Sequence, residues 1–141
     1  MKILKKETGI YSLYLDKNNF INFCPSRGGI ITGWVFNNHQ ILYFDQKRFL
    51  DKSKSIRGGI PILFPICGNL ENKSLFGDNF LDLMQHGFAR DQEWNYGFNQ
   101  SKNTLCLTLS DNEITRKYYP YFFELKIEIT LSIETLIFNI E

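Results

Sequence analysis

Apolar and polar residues alternate most regularly over residues 123–131, where Phe123, Leu125, Ile127, Ile129 and Leu131 fall on one side and Glu124, Lys126, Glu128 and Thr130 on the other. A period of two over that length predicts a half-buried β-strand. Shorter runs repeat the pattern. Residues 11–16 and 19–24 flank the turn-forming Asp16-Lys-Asn-Asn19 and predict a hairpin. Residues 30–36 and 41–44, on either side of Asn37-Asn38-His39, predict a second. Residues 105–110, turning at Asp111-Asn112, and residues 136–140 add two more strands. No long amphipathic helix is expected, and residues 47–54 predict only a short turn. This is an all-β, antiparallel pattern.

Residues 53–94 break it. They carry little periodicity and are punctuated by Gly58, Gly59, Pro61, Pro65, Gly68, Gly77 and Gly87. Long irregular segments inside a compact domain are uncommon and often functional. Within this stretch, residues 69–80 are polar and predict an exposed loop, or alternatively a lid over a ligand. Two segments place charge beside glycine inside apolar sequence: Ser55-Ile-Arg-Gly-Gly-Ile-Pro-Ile-Leu-Phe-Pro-Ile-Cys-Gly68 and Gln85-His-Gly-Phe-Ala-Arg-Asp-Gln-Glu-Trp94. Folding alone rarely asks for that arrangement. A guanidinium at Arg57, before two glycines, is a fork for an anion at a point where the backbone turns sharply. His86 adds a proton donor or acceptor near neutral pH, and Arg90 a second guanidinium. Together they predict a polar, anion-accepting ligand site.

Composition narrows the partner. A chain of 141 residues with 43% hydrophobic and 22% charged residues has ordinary globular character and the size of one domain. A net charge of +1 supplies no global field for nucleic acid or an anionic membrane, so the expected partner is a small molecule. Aromatic residues are 16% of the chain, with thirteen Phe and seven Tyr. Their main use is expected in strand packing, although they also suit a sugar-stacking surface. Three widely spaced cysteines, Cys24, Cys67 and Cys106, suggest neither a disulfide framework nor a zinc site. The Lys-rich start, residues 1–8, is not followed by a long apolar run, so neither signal peptide nor membrane helix is expected. These features predict a cytoplasmic protein with no metal or cofactor.

The run from Arg57 through Pro61, Phe64-Pro65 and Gly68, then Gln85-His86-Gly87-Phe88-Ala89-Arg90 and Trp94, resembles the aldose 1-epimerase (galactose mutarotase-like) family, and within it the hexose-6-phosphate mutarotase branch. Pro25-Ser-Arg-Gly-Gly-Ile30 before Trp34 and Tyr119-Pro-Tyr-Phe-Phe-Glu-Leu125 fit in the same order. The resemblance spans about residues 10–140 and implies an antiparallel β-sandwich, incomplete in this chain. Family members are considerably longer, so residues 1–141 are expected to form the N-terminal portion of one sandwich domain. The chain stops inside a strand-like run, 134–141. Unpaired apolar edges are therefore expected, to be covered by a C-terminal half or by self-association.

The implied activity is interconversion of the α and β anomers of a hexose, as an isomerase, with a hexose 6-phosphate as substrate. Opening and reclosing the hemiacetal needs one group on the anomeric hydroxyl and another on the ring oxygen. The resemblance gives Arg57 and Arg90 to the substrate phosphate and His86 to a sugar oxygen, with His86 the sole catalytic candidate in this chain. The family's principal acid histidine and base glutamate lie in downstream motifs, and Glu124, Glu128 and Glu134 sit at strand positions expected to face solvent. Each assignment has a plainer rival. Arg57 can bond the carbonyls of its own turn, Arg90 can pair with Asp91 or Glu93, and His86 can be a satisfied structural residue. Arg27, in Ser-Arg-Gly-Gly, is read as part of a structural turn. The alternative function is a non-catalytic carbohydrate-binding domain.

Overall fold

The computed structural model describes residues 2–70, 75–76, 79–80 and 82–141, and its alternating segments form two antiparallel sheets packed face to face. The first sheet is a meander of β1 (Lys2–Lys5), β2 (Tyr11–Tyr14), β3 (Phe20–Cys24), β4 (Ile30–Phe36) and β5 (His39–Gln40). A one-turn helix, α1 (Gln46–Leu50), and a two-stranded ribbon of β6 (Leu75–Phe76) and β7 (Asn79–Phe80) follow. The second sheet is again a meander: β8 (Asn95–Asn99), β9 (Thr104–Ser110), β10 (Glu124–Leu131) and β11 (Leu136–Ile140). A short helix, α2 (Thr115–Tyr118), lies between β9 and β10.

One core joins the layers. Leu13, Ile21, Phe23 and Ile31 from the first sheet meet Leu105, Leu107, Leu109, Ile127, Ile129 and Leu131 from the second. On β10 the expected facing holds: Ile127, Ile129 and Leu131 are buried, while Phe123 and Leu125 pack partly buried against the same cluster. Across the sheet, Ile127 stands between Leu107 and Ile140. The outer face is charged. Lys126 lies 3.1 Å from both Glu128 and Glu141, and hydrogen bonds to Glu128 and then Glu141 raise its pKa.

The structure departs from the sequence pattern in four places. Asn37 and Asn38 both take positive φ, 49° and 63°, the backbone of a two-residue primed turn. The return strand therefore starts at His39 and covers only His39–Gln40, not residues 41–44. Ile41 still donates to the Trp34 carbonyl at 2.8 Å; the chain then leaves the sheet and Phe44 bridges Gly58. Two strands were not expected, β1 and β8. Asn95–Asn99 holds residues depleted in strands and forms as an edge because β9 offers it a complete ladder. Where a short turn was expected over 47–54, Asp45 caps α1 by accepting from the Arg48 amide at 2.9 Å, and Phe49 is buried against Ile10, Cys24 and Ile30. Of the loop or lid expected at 69–80, β6 and β7 pair with each other, and the remainder from 71 onward lies outside the described residues. At the far edge, among the described residues, β11 pairs only with β10, and its Ile137 and Ile140 are 49% and 68% exposed.

Candidate functional site

The two glycine-bearing motifs are stitched onto the first sheet and to each other. Ile60 exchanges backbone hydrogen bonds with Ile31 of β4, at 2.8 and 3.2 Å. Just before it, Gly58 sits at φ +82°, where a Cβ would overlap the Tyr43 carbonyl. Only glycine allows that approach. Further on, the Phe64 carbonyl accepts from the amides of Phe88 and Ala89 at 3.0 and 3.2 Å, which draws the second motif alongside the first. Rings from the later Tyr-Pro-Tyr-Phe-Phe segment close the contact: Phe123 lies 5.0 Å from Phe64 and 5.9 Å from Phe88, and Tyr119 lies 5.7 Å from Phe64.

Behind the second motif lies the Pro25–Gly29 turn. The Gly28 amide donates to Gln92 at 2.8 Å and the Trp94 amide to Pro25 at 2.9 Å. Trp94 is fully buried and its indole nitrogen donates to Ala89 at 2.9 Å. This turn is structural, as expected. The Arg27 guanidinium is occupied with two backbone carbonyls, those of Phe49 and Lys54, and stacks 4.7 Å from the Phe49 ring centre. An arginine fork thus braces the loop that follows α1.

The three candidate ligand residues differ in their state. Arg57 is exposed and, among the described residues, its guanidinium makes no hydrogen bond or ion pair; only its backbone carbonyl is used, accepting from Asp45 at 3.1 Å. The turn-carbonyl alternative is not what the side chain does. Arg90 is partly committed: it donates to the Gln85 carbonyl at 3.0 Å and lies 3.6 Å from Asp91. Such an open ion pair contributes roughly 0 to 1 kcal/mol, little hindrance to a stronger anion. His86 is held on one side, with the Gly68 amide donating to Nδ1 at 2.9 Å and its own amide donating back to the Gly68 carbonyl at 2.7 Å. With Nδ1 an acceptor, the proton of the neutral ring sits on Nε2, which becomes a donor. Its φ of +68° is uncommon for a side-chain-bearing residue and is maintained by that double tie.

Around Arg90 the chain forms a cleft of about 370 Å³, whose walls include Arg27, Lys52, Lys54, Gly58, Gly59 and Asp91. Arg90 thus shares a cleft with the glycines that follow Arg57, while neither Arg57 nor His86 is among the cleft's walls. Four cations face one carboxylate there. Lys52 and Lys54 were not singled out from sequence, because Asp51-Lys-Ser-Lys54 has the look of any solvated loop. The loop is nonetheless ordered by its own contacts: Asp51 accepts from the Ser53 hydroxyl at 2.6 Å and pairs with Lys54 at 3.0 Å. The Ser53 hydroxyl, then Lys54 and the Ser53 amide, lower the Asp51 pKa. Among the described residues, no three His, Cys, Asp or Glu side chains converge on a metal site, and no helix is long and apolar enough to cross a membrane. Cys24, Cys67 and Cys106 are unpaired.

This two-layer antiparallel architecture is that of the galactose mutarotase-like proteins. A galactose mutarotase-like protein of Lactobacillus casei ATCC 334 superposes on 94% of this chain and 43% of its own with a TM-score of 0.73 at 20% identity.

 A protein of Synechocystis sp. PCC 6803 is closer in sequence, at 39% identity and a TM-score of 0.87 over 99% of this chain and 50% of that one. Residues 12–141 match the aldose 1-epimerase family, and the chain belongs to it. Two relatives carry the name "Putative glucose-6-phosphate 1-epimerase": one from Cenchrus ciliaris, 31% identical over 74% of this chain, and one from Salmonella typhimurium, 29% identical over 70%. The chain spans only 31% and 32% of the length of those two relatives.

Proposed function

We propose that this chain carries the sugar-phosphate-binding part of an aldose 1-epimerase that interconverts the anomers of a hexose 6-phosphate. The observation that carries the reading is the state of Arg57: an exposed guanidinium without a partner among the described residues, joined through Gly58 and Gly59 to the cleft that Arg90 lines. A phosphate dianion gives each guanidinium a charge-assisted hydrogen bond worth roughly 1.5 to 3 kcal/mol, more than the open Arg90–Asp91 pair provides. His86 supplies a donor at Nε2 for a sugar oxygen. Proton transfer at the second oxygen belongs to groups outside residues 1–141, so these residues form the N-terminal portion of a single catalytic sandwich.

Calorimetric titration with glucose 6-phosphate and glucose tests the reading. Arg57→Ala and Arg90→Ala should each weaken glucose 6-phosphate binding about tenfold or more and leave glucose binding nearly unchanged. Equal losses for both sugars, or none, would remove the clamp. A second reading, a non-catalytic carbohydrate-binding domain, is favoured by one detail: with Nδ1 engaged by Gly68, His86 offers a single nitrogen, which suits holding an oxygen better than serving two.

A further inference from the structure

The cleft holds one cation that neither the fold nor a neighbouring charge uses. Arg27 is occupied with the Phe49 and Lys54 carbonyls, Lys54 is paired with Asp51, and Arg90 is tied to Gln85 and Asp91. Lys52 has no hydrogen bond or ion pair among the described residues, yet it lines this cleft and also the adjoining cavity of about 300 Å³ beneath Thr8 and Ser26. The two cavities share Arg27, Lys52 and Asp91 as walls, so Lys52 stands at their junction. Its position is not that of a lysine on a loose loop. Arg27 grips the loop on both sides of it, at residues 49 and 54, and Asp51 and Ser53 close the turn through two hydrogen bonds, at 2.6 and 3.1 Å.

We infer that Lys52 is a specificity-determining residue that contacts the phosphate of the sugar phosphate as a third cation beside Arg57 and Arg90. The assignment rests on the hexose 6-phosphate reading above. Physically, two forked guanidiniums fix the orientation of a phosphate, whereas an ammonium is a compact point charge that follows whichever oxygen remains open. A concave wall of predominantly one sign also concentrates an anion before it docks. Asp91 is the one opposing carboxylate on the shared wall, and Arg90 already faces it.

Titration of the purified chain and its variants with glucose 6-phosphate and with glucose, together with thermal melting, tests the assignment. Lys52→Ala should weaken glucose 6-phosphate about tenfold, leave glucose affinity and melting temperature unchanged, and be largely restored by Lys52→Arg. Full affinity in Lys52→Ala, with losses confined to the Arg57 and Arg90 variants, would overturn the role of Lys52 and leave the arginine clamp standing. A phosphate-selective loss in Lys52→Ala without any loss in the arginine variants would uphold Lys52 and remove the clamp. A loss that falls equally on glucose, or that accompanies a lower melting temperature, would overturn the inference in favour of a structural role. Absence of glucose 6-phosphate binding by the parent chain would overturn both readings together.

Discussion

Gly28→Ala should be among the most damaging small substitutions in this chain, for reasons that are local and can be worked out. Gly28 has φ +79°, and an added Cβ would overlap the backbone of Arg90, with its carbonyl oxygen nearest. Placing an alanine in the left-handed region costs roughly 1 to 2 kcal/mol. The overlap is with main chain, not with the end of a flexible side chain, so relief requires a backbone shift of the kind that costs roughly 1 to 3 kcal/mol in overpacked sites. The sum is about 2 to 5 kcal/mol. The shift also pulls on the 2.8 Å bond from Gly28 to Gln92 and on Trp94 below it, so Arg90 should move with it. Gly97 is the control. It has ordinary φ, sits on exposed edge strand β8, and nothing lies within 4 Å of an added Cβ. Urea denaturation of Gly28→Ala and Gly97→Ala should therefore give a large loss in the first and a change within about 1 kcal/mol in the second. Comparable midpoints for the two variants would refute the close packing of the Ser-Arg-Gly-Gly turn on Arg90.

Three further outcomes are expected. Ile127→Ala, at a fully buried β10 position, should cost about 2 to 5 kcal/mol and Glu128→Ala far less; similar denaturation shifts would contradict the facing of the strand. Asp51 has a lowered pKa, so its contribution to loop order is complete above the unfolded aspartate value and is lost as pH falls through the lower folded value. An NMR titration should place the Asp51 midpoint below that of an ordinary aspartate, and Asp51→Asn should abolish the acid-induced change in the loop; an Asp51 midpoint at the ordinary value would end this account. Polarimetry of freshly dissolved α-glucose 6-phosphate should show little acceleration by residues 1–141 alone, since the absence of a proton carrier forfeits roughly 10² to 10⁴ in rate; family-scale turnover would place both carriers inside this chain.

The strands with sustained alternation were legible because their facing follows from the period of two: residues 123–131 name their own buried side, and the buried side is the core. Edge elements were less so. Asn95–Asn99 alternates Tyr96 and Phe98 with Asn95, Gly97 and Asn99 over too few residues to mark a strand by itself, and owes its conformation to a partner that ends at Ser110. The second hairpin failed at its exit because Asn37 and Asn38 look the same in sequence whether the turn is two or three residues long. In the candidate site, charge beside glycine marked Arg57 and Arg90, and the neighbouring glycines do bring chain segments into backbone contact. Lys52 was invisible for the opposite reason: the residue that fixes its loop, Arg27, precedes it by 25 positions, and no short-range pattern encodes a grip across that distance.

The form of that grip has a consequence for how the loop tolerates change. Arg27 holds main-chain oxygens, which every residue carries, so it is indifferent to the side chains at 49 and 54 as hydrogen-bond partners. Substitutions between those anchors that spare the Asp51–Ser53 turn leave the span intact, whereas adding or deleting a residue moves one oxygen out of reach of a planar fork whose two arms are fixed relative to each other. Spacing more than identity is what such a brace imposes: at Lys52 the loop can change its chemistry, and with it the ligand it favours, while its length stays locked.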